Sequence, residues 1–232
     1  MVLPEATMRE AVLVEELGTM PPRAAVLALA ELQDGATRLR TPAFLVATAT
    51  LAASVERIPY SVRRDLYEAA KDADLEGVAR LFFSAPPLAE PPPPEPEQYV
   101  PSAGRTVTLG ERKSLARRGR RDIVTALVRD PDASVIANLL ANPLLTEKDV
   151  LAVASRRPAR RDVLRAIFAS RWVCRYHVKR ALVMNPFTPD DLAVRLAGAL
   201  IEMDLRLVAA DAQLRLPVRA QARALLARTD QP

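Results

Sequence analysis

The chain has 232 residues, enough for one large domain or two small ones with a real core; half of them are hydrophobic but only 4% are aromatic. Its formal charge of +5 is unevenly spread: residues 1–104 carry a net −6, residues 105–180 a net +11, and residues 181–232 balance to zero. A single cysteine, Cys174, excludes an intramolecular disulfide and a cysteine-built zinc site, the acidic N-terminus lacks a signal-peptide charge pattern, and no apolar run reaches the roughly 18 residues of a membrane span.

The apolar mass is Ala, Leu and Val, and seven glycines leave few sites for tight hairpins, so an all-α protein is expected. In chain order, the pattern predicts helices over 5–17, closed by Gly18, and over 22–33, opened by Pro22 and closed by Asp34-Gly35. A third spans 42–57 behind Thr41; its run "TPAFLVATATLAASV" is about 15 residues long, too short to cross a bilayer, and reads as a buried helix. Helices over 61–71 and 74–83 complete an N-terminal segment, residues 1–85. The acidic, proline-dense "PPLAEPPPPEPEQYVP" follows, and residues 86–107 read as an extended polyproline-type linker, with a docking peptide for an aromatic-lined groove as the sharper alternative.

Residues 108–232 read as a helical-repeat domain with helices over 109–117, 122–129, 133–141, 147–155, 160–169, 176–184, 189–201, 204–210 and 217–228. Two segments repeat: "ANPLLTEKDVLAVA" from 141 and "MNPFTPDDLAVRLA" from 184. Asn142-Pro143 falls on Asn185-Pro186, 43 residues apart, and each pair is followed by a Thr, an Asp three residues on, and an apolar helix. The Asn-Pro step ends one helix; the Thr and Asp are placed as a capping box for the next. An interval near 42 residues corresponds to one helical hairpin per repeat in HEAT and armadillo arrays.

The stretch "LVRDPDASVIANLLANP" resembles the HEAT-repeat pattern through Leu127, Asp130, Pro131, Asp132 and Val135, with Ile136 where that family usually places an arginine. "LRLPVRAQARALLA" is similar to a degenerate later unit, through Leu216-Pro217-Val218-Arg219. The resemblance implies an α-solenoid whose helices bury their faces against neighbouring repeats, and it is silent on activity.

The basic residues cluster at 112–121, 155–165 and 171–180. Arg156, Arg157, Arg160, Arg161, Arg171 and Arg175 flank helix corners; stacked corners would line them up as a basic edge suited to an acidic protein surface or to phosphates. The plainer reading is a solvated face whose arginine stems cover alanine-rich helices. Trp172, Tyr176 and Asp162 could be cast in the parts of a HEAT-like DNA glycosylase, although no motif aligns them and Trp172 reads first as packing between repeats. His177, the only histidine, lies three residues from Cys174 without a third orienting group, so no catalytic residue is assigned, and no glycine-rich phosphate loop is present. The expectation is a non-enzymatic protein-binding scaffold or adaptor of a bacterial cytoplasm, without metal, cofactor or membrane, with a nucleic-acid-binding, glycosylase-like protein as the alternative.

Overall fold

Short apolar stretches bounded by proline, asparagine and capping residues fold as short helices, fourteen of them among the described residues, with no strand. The computed structural model describes residues 6–39, 42–83 and 107–229; the expected linker falls almost wholly outside them. The first five helices are α1 (Ala6–Thr19), α2 (Pro22–Leu39), α3 (Pro42–Ser54), α4 (Tyr60–Asp72) and α5 (Glu76–Phe82). Six follow the proline-rich stretch: α6 (Leu109–Arg118), α7 (Arg121–Leu127), α8 (Ala133–Leu140), α9 (Glu147–Ala154), α10 (Arg161–Phe168) and α11 (Tyr176–Val183). The last three are α12 (Asp190–Ala197), α13 (Glu202–Ala210) and α14 (Leu216–Thr229).

Contacts divide the described chain into two compact units. One joins α1–α5 with α12–α14; the other holds α6–α11. This grouping differs from the expected repeat domain of 108–232. Proline composition says nothing about which distant helices share a core.

In the first unit, Leu17, Val26, Leu29, Leu51, Ile58, Leu66, Val78, Leu81 and Phe82 build a buried cluster among α1–α5. The second helix does not stop at Asp34-Gly35 but runs on to Leu39, and Gly35 within it is a site of close approach, where a Cβ would collide with the Phe44 ring of α3. Asp74, expected to open the fifth helix, instead takes the left-handed conformation at φ 55° in the turn before it. The fourteenth helix packs on α2, α5, α12 and α13. Buried Gln221 donates to the Gly77 carbonyl at 2.8 Å, Arg80 donates to the Ala220 carbonyl at 3.0 Å, and Arg228 pairs with Asp34 at 2.9 Å.

The second unit follows a different rule. Its helices start at residues 109, 121, 133, 147, 161 and 176, so a new helix begins every 12 to 15 residues. Three helices, α9 to α11, lie between Asn142 and Asn185, as the predicted helices have it, so the 43-residue interval is not the single hairpin of a HEAT or armadillo repeat. The helices are about two turns long, shorter than that spacing assumes. Packing runs to the second neighbour: α6 on α8, α8 on α10, and α9 on α11.

The corners show why. The last carbonyls of a helix have no partner within it. Here one carbonyl at each of four helix ends is met from the corner that ends the second helix further on. Asn142 Nδ2 donates to Ala116 O of α6 at 2.8 Å, Arg156 to Val128 O at the end of α7 at 2.7 Å, Trp172 Nε1 to Leu140 O of α8 at 2.9 Å, and Asn185 Nδ2 to Ala154 O of α9 at 2.7 Å. The sequence separations are 26, 28, 32 and 31 residues. Both asparagines also fold their own corner, accepting from the amide two residues on, Leu144 N and Phe187 N. The Asn-Pro corners are thus two members of a series of four, and Arg156 and Trp172 are the other two.

Local capping supports the series. Thr146 and Asp149 form the expected capping box on α9, and Thr108 with Glu111 forms another on α6. Asp132 caps α8 through Ser134 N and Val135 N. Thr188, expected to cap forward, donates back to Leu182 O at 2.7 Å.

Candidate functional site

The basic corner residues divide by what holds them. Arg156 is half-buried and donates to Val128 O at the α7 terminus at 2.7 Å. Arg160 grips Asp162 with two bonds, at 3.1 and 2.7 Å, and this carboxylate raises its pKa above the ordinary arginine value. Arg161 is half-buried at the start of α10. Arg157, Arg171 and Arg175 are exposed. Arg157 donates to Met184 O at 2.6 Å; Arg171 lies over the Trp172 ring, 5.1 Å from its centroid.

Other ion pairs are structural. Arg121 holds Asp149 by two bonds, at 2.5 and 2.8 Å, and lowers its carboxyl to about 2, with the Thr146 hydroxyl and amide assisting. Asp130 of the HEAT-like stretch finds its arginine not after Val135 but in α6, where Arg112 reaches its fully buried side chain at 2.8 Å. Burial raises the Asp130 pKa against the pull of that arginine and of the Asp132 amide.

Around Arg157 the two neighbouring helices leave a cleft of about 410 Å³. Leu151 and Ser155, four residues apart on α9 and its end, form one side with Arg157; His177, Arg180, Ala181 and Met184 form the other. The spacing 177, 180, 181, 184 is one face of α11 and the residue after it. The lining holds two guanidinium groups, an imidazole and a hydroxyl, no carboxylate, and an apolar floor of Leu151, Ala181 and Met184. The sequence singled out Arg157 but not Arg180 or His177 as binding groups. The signal for both was their helical spacing, which becomes informative only once α9 is known to be the neighbour.

The residues cast as glycosylase parts are otherwise engaged. Trp172 is 8% exposed, with its ring nitrogen bonded to Leu140 O, which fits the packing reading; Asp162 is bound to Arg160. Tyr176 stacks edge-on with His177. Among the described residues no group of three or more His, Cys, Asp or Glu is placed to hold a metal ion, and no helix is long and apolar enough to cross a membrane. Compared with known proteins, the chain matches no family model, no curated protein and no solved structure.

Proposed function

We propose that the protein is a non-enzymatic binding module, a scaffold or adaptor of a bacterial cytoplasm, whose α6–α11 helices form a short-helix array of the α-solenoid kind that presents a basic edge to an acidic protein. The array reading is supported by second-neighbour packing and by the four corner caps. The single observation that carries the binding reading is the cleft beside Arg157, whose lining is cationic and contains no carboxylate. Arg171 and Arg175 at the corner between α10 and α11 are also exposed.

The test is fluorescence anisotropy with a labelled poly-glutamate peptide and, in parallel, a labelled DNA duplex, each at about 50 and about 200 mM salt. Saturable peptide binding that the triple variant Arg157→Glu, Arg171→Glu, Arg175→Glu abolishes supports the reading. Duplex binding stronger than peptide binding, lost by orders of magnitude at the higher salt, refutes it in favour of a phosphate-contacting protein.

A further inference from the structure

The cleft has two chemically distinct halves, and a bare anion would use only one of them. Arg157, Arg180, His177 and Ser155 supply charge and donors; Leu151, Ala181 and Met184 offer nothing to an oxyanion but fit an aliphatic side chain. At about 410 Å³ the cleft lies near the small end of the roughly 300–1,000 Å³ typical of ligand sites. It has room for a few side chains and not for a folded element. The bond from Arg157 to Met184 O fixes one guanidinium at the mouth, and a guanidinium's five donors serve several acceptors at once. Leu151 stands on α9 and His177, Arg180 and Ala181 on α11, while Ser155, Arg157 and Met184 sit in the turns that end these helices, which the Arg157–Met184 bond ties together.

We propose that this cleft is a docking slot for a short peptide in which a carboxylate residue sits beside an aliphatic one. The carboxylate meets Arg157 and Arg180, and the aliphatic side chain lies on Leu151, Ala181 and Met184. This deepens the acidic-partner reading and rests on it: the acidic partner is recognised by one acidic-aliphatic step and not by charge alone. The rest of the basic edge steers the encounter.

The probes are two fluorescein-labelled hexapeptides with blocked ends, one of alternating Glu and Leu, the other of alternating Glu and Ser. They are titrated by anisotropy against the full chain at about 50 mM salt. The Glu-Leu peptide is expected to bind about tenfold more tightly, the worth of partly burying one leucine. Arg180→Met, which keeps the stem and removes the charge, should weaken it by about tenfold or more, while Arg118→Met, an exposed arginine outside the cleft lining, should change it by no more than about twofold. Ala181→Phe fills the floor without touching a charge and should reduce the Glu-Leu peptide to the level of the Glu-Ser peptide. Thermal melting of each variant separates lost binding from lost folding.

Equal binding of the two peptides, or equal damage from Arg118→Met and Arg180→Met, overturns the slot while leaving the acidic-partner reading intact. Displacement of the Glu-Leu peptide by low-millimolar inorganic phosphate also overturns it, in favour of a small-oxyanion site. Failure of both peptides and of poly-glutamate to bind overturns the acidic-partner reading itself.

Discussion

Lys179 gives the sharpest test of the helical series. It lies six residues before Asn185, as Ile136 lies six before Asn142, and both side chains are 0% exposed. An amine therefore occupies an aliphatic core position of α11. Burial lowers its pKa from 10.5 to about 8, against a smaller opposing effect of Cys174. That fall makes the cost of burying the charged form about 3 kcal/mol. The sign follows from proton binding. Below about pH 8 both states hold the proton and the full cost is present; between about 8 and 10.5 the unfolded state holds more protons, so stability rises with pH; above 10.5 the cost is gone. Lys179→Met removes that cost together with the contacts of the amine, so the stability of the variant relative to the natural protein should be most favourable at pH 7 and should fall by up to about 3 kcal/mol by about pH 10.5. Urea denaturation of both proteins at pH 7, 9 and 10.5 measures this. A stability difference between the two proteins that does not vary with pH would refute the assignment of Lys179 to a core position.

Four further expectations follow from named contacts. Gly18→Ala should stabilise by up to about 1 kcal/mol, since nothing lies within 4 Å of the new methyl, whereas Gly35→Ala should destabilise through the Phe44 ring despite the same helix-propensity gain; melting curves decide both signs. Trp172→Phe removes the bond to Leu140 O while keeping most of the packing and should cost about 1 kcal/mol, read by denaturant unfolding. The Asp149 carboxyl, held at about 2, contributes stability that is full above its unfolded value near 4 and is lost as pH falls through 2; Arg121→Met should raise its midpoint toward the ordinary range in a carboxyl NMR titration. Asn185→Ala, which frees two carbonyls, those of Ala154 and Arg156, should destabilise more than Asn142→Ala, which frees only Ala116 O, with each costing about 1–3 kcal/mol per carbonyl in urea unfolding.

Much of the helical layout was legible because the signals were local. Thr108, Asp132 and Thr146 act at the helix starts where their side chains cap, and proline marks most of the corners. What escaped were facts about partners. Gly35 has the look of a helix stop, whereas its lack of a Cβ makes room for the Phe44 ring inside a continuing helix. The α12–α14 helices carry no mark that ties them to α2 and α5. The repeat at Asn142 and Asn185 is real as chemistry, but two of its four members, Arg156 and Trp172, use different donors and so share no residue identity with it. For the same reason the sequence shows Arg156 as a corner arginine but not the helix end, 28 residues away, that its guanidinium meets. The cleft was legible only in halves, as an arginine at a corner and as a face of α11.

The central claim is that each helix end from α6 to α9 is closed by the corner of the second helix after it. Amide hydrogen exchange on Asn142→Ala against the wild-type protein tests this most directly. The expected result is faster exchange in two places far apart in sequence, the corner at 142–146 and the last turn of α6 around Ala116, with α11 unchanged. Faster exchange confined to 142–146 would contradict it.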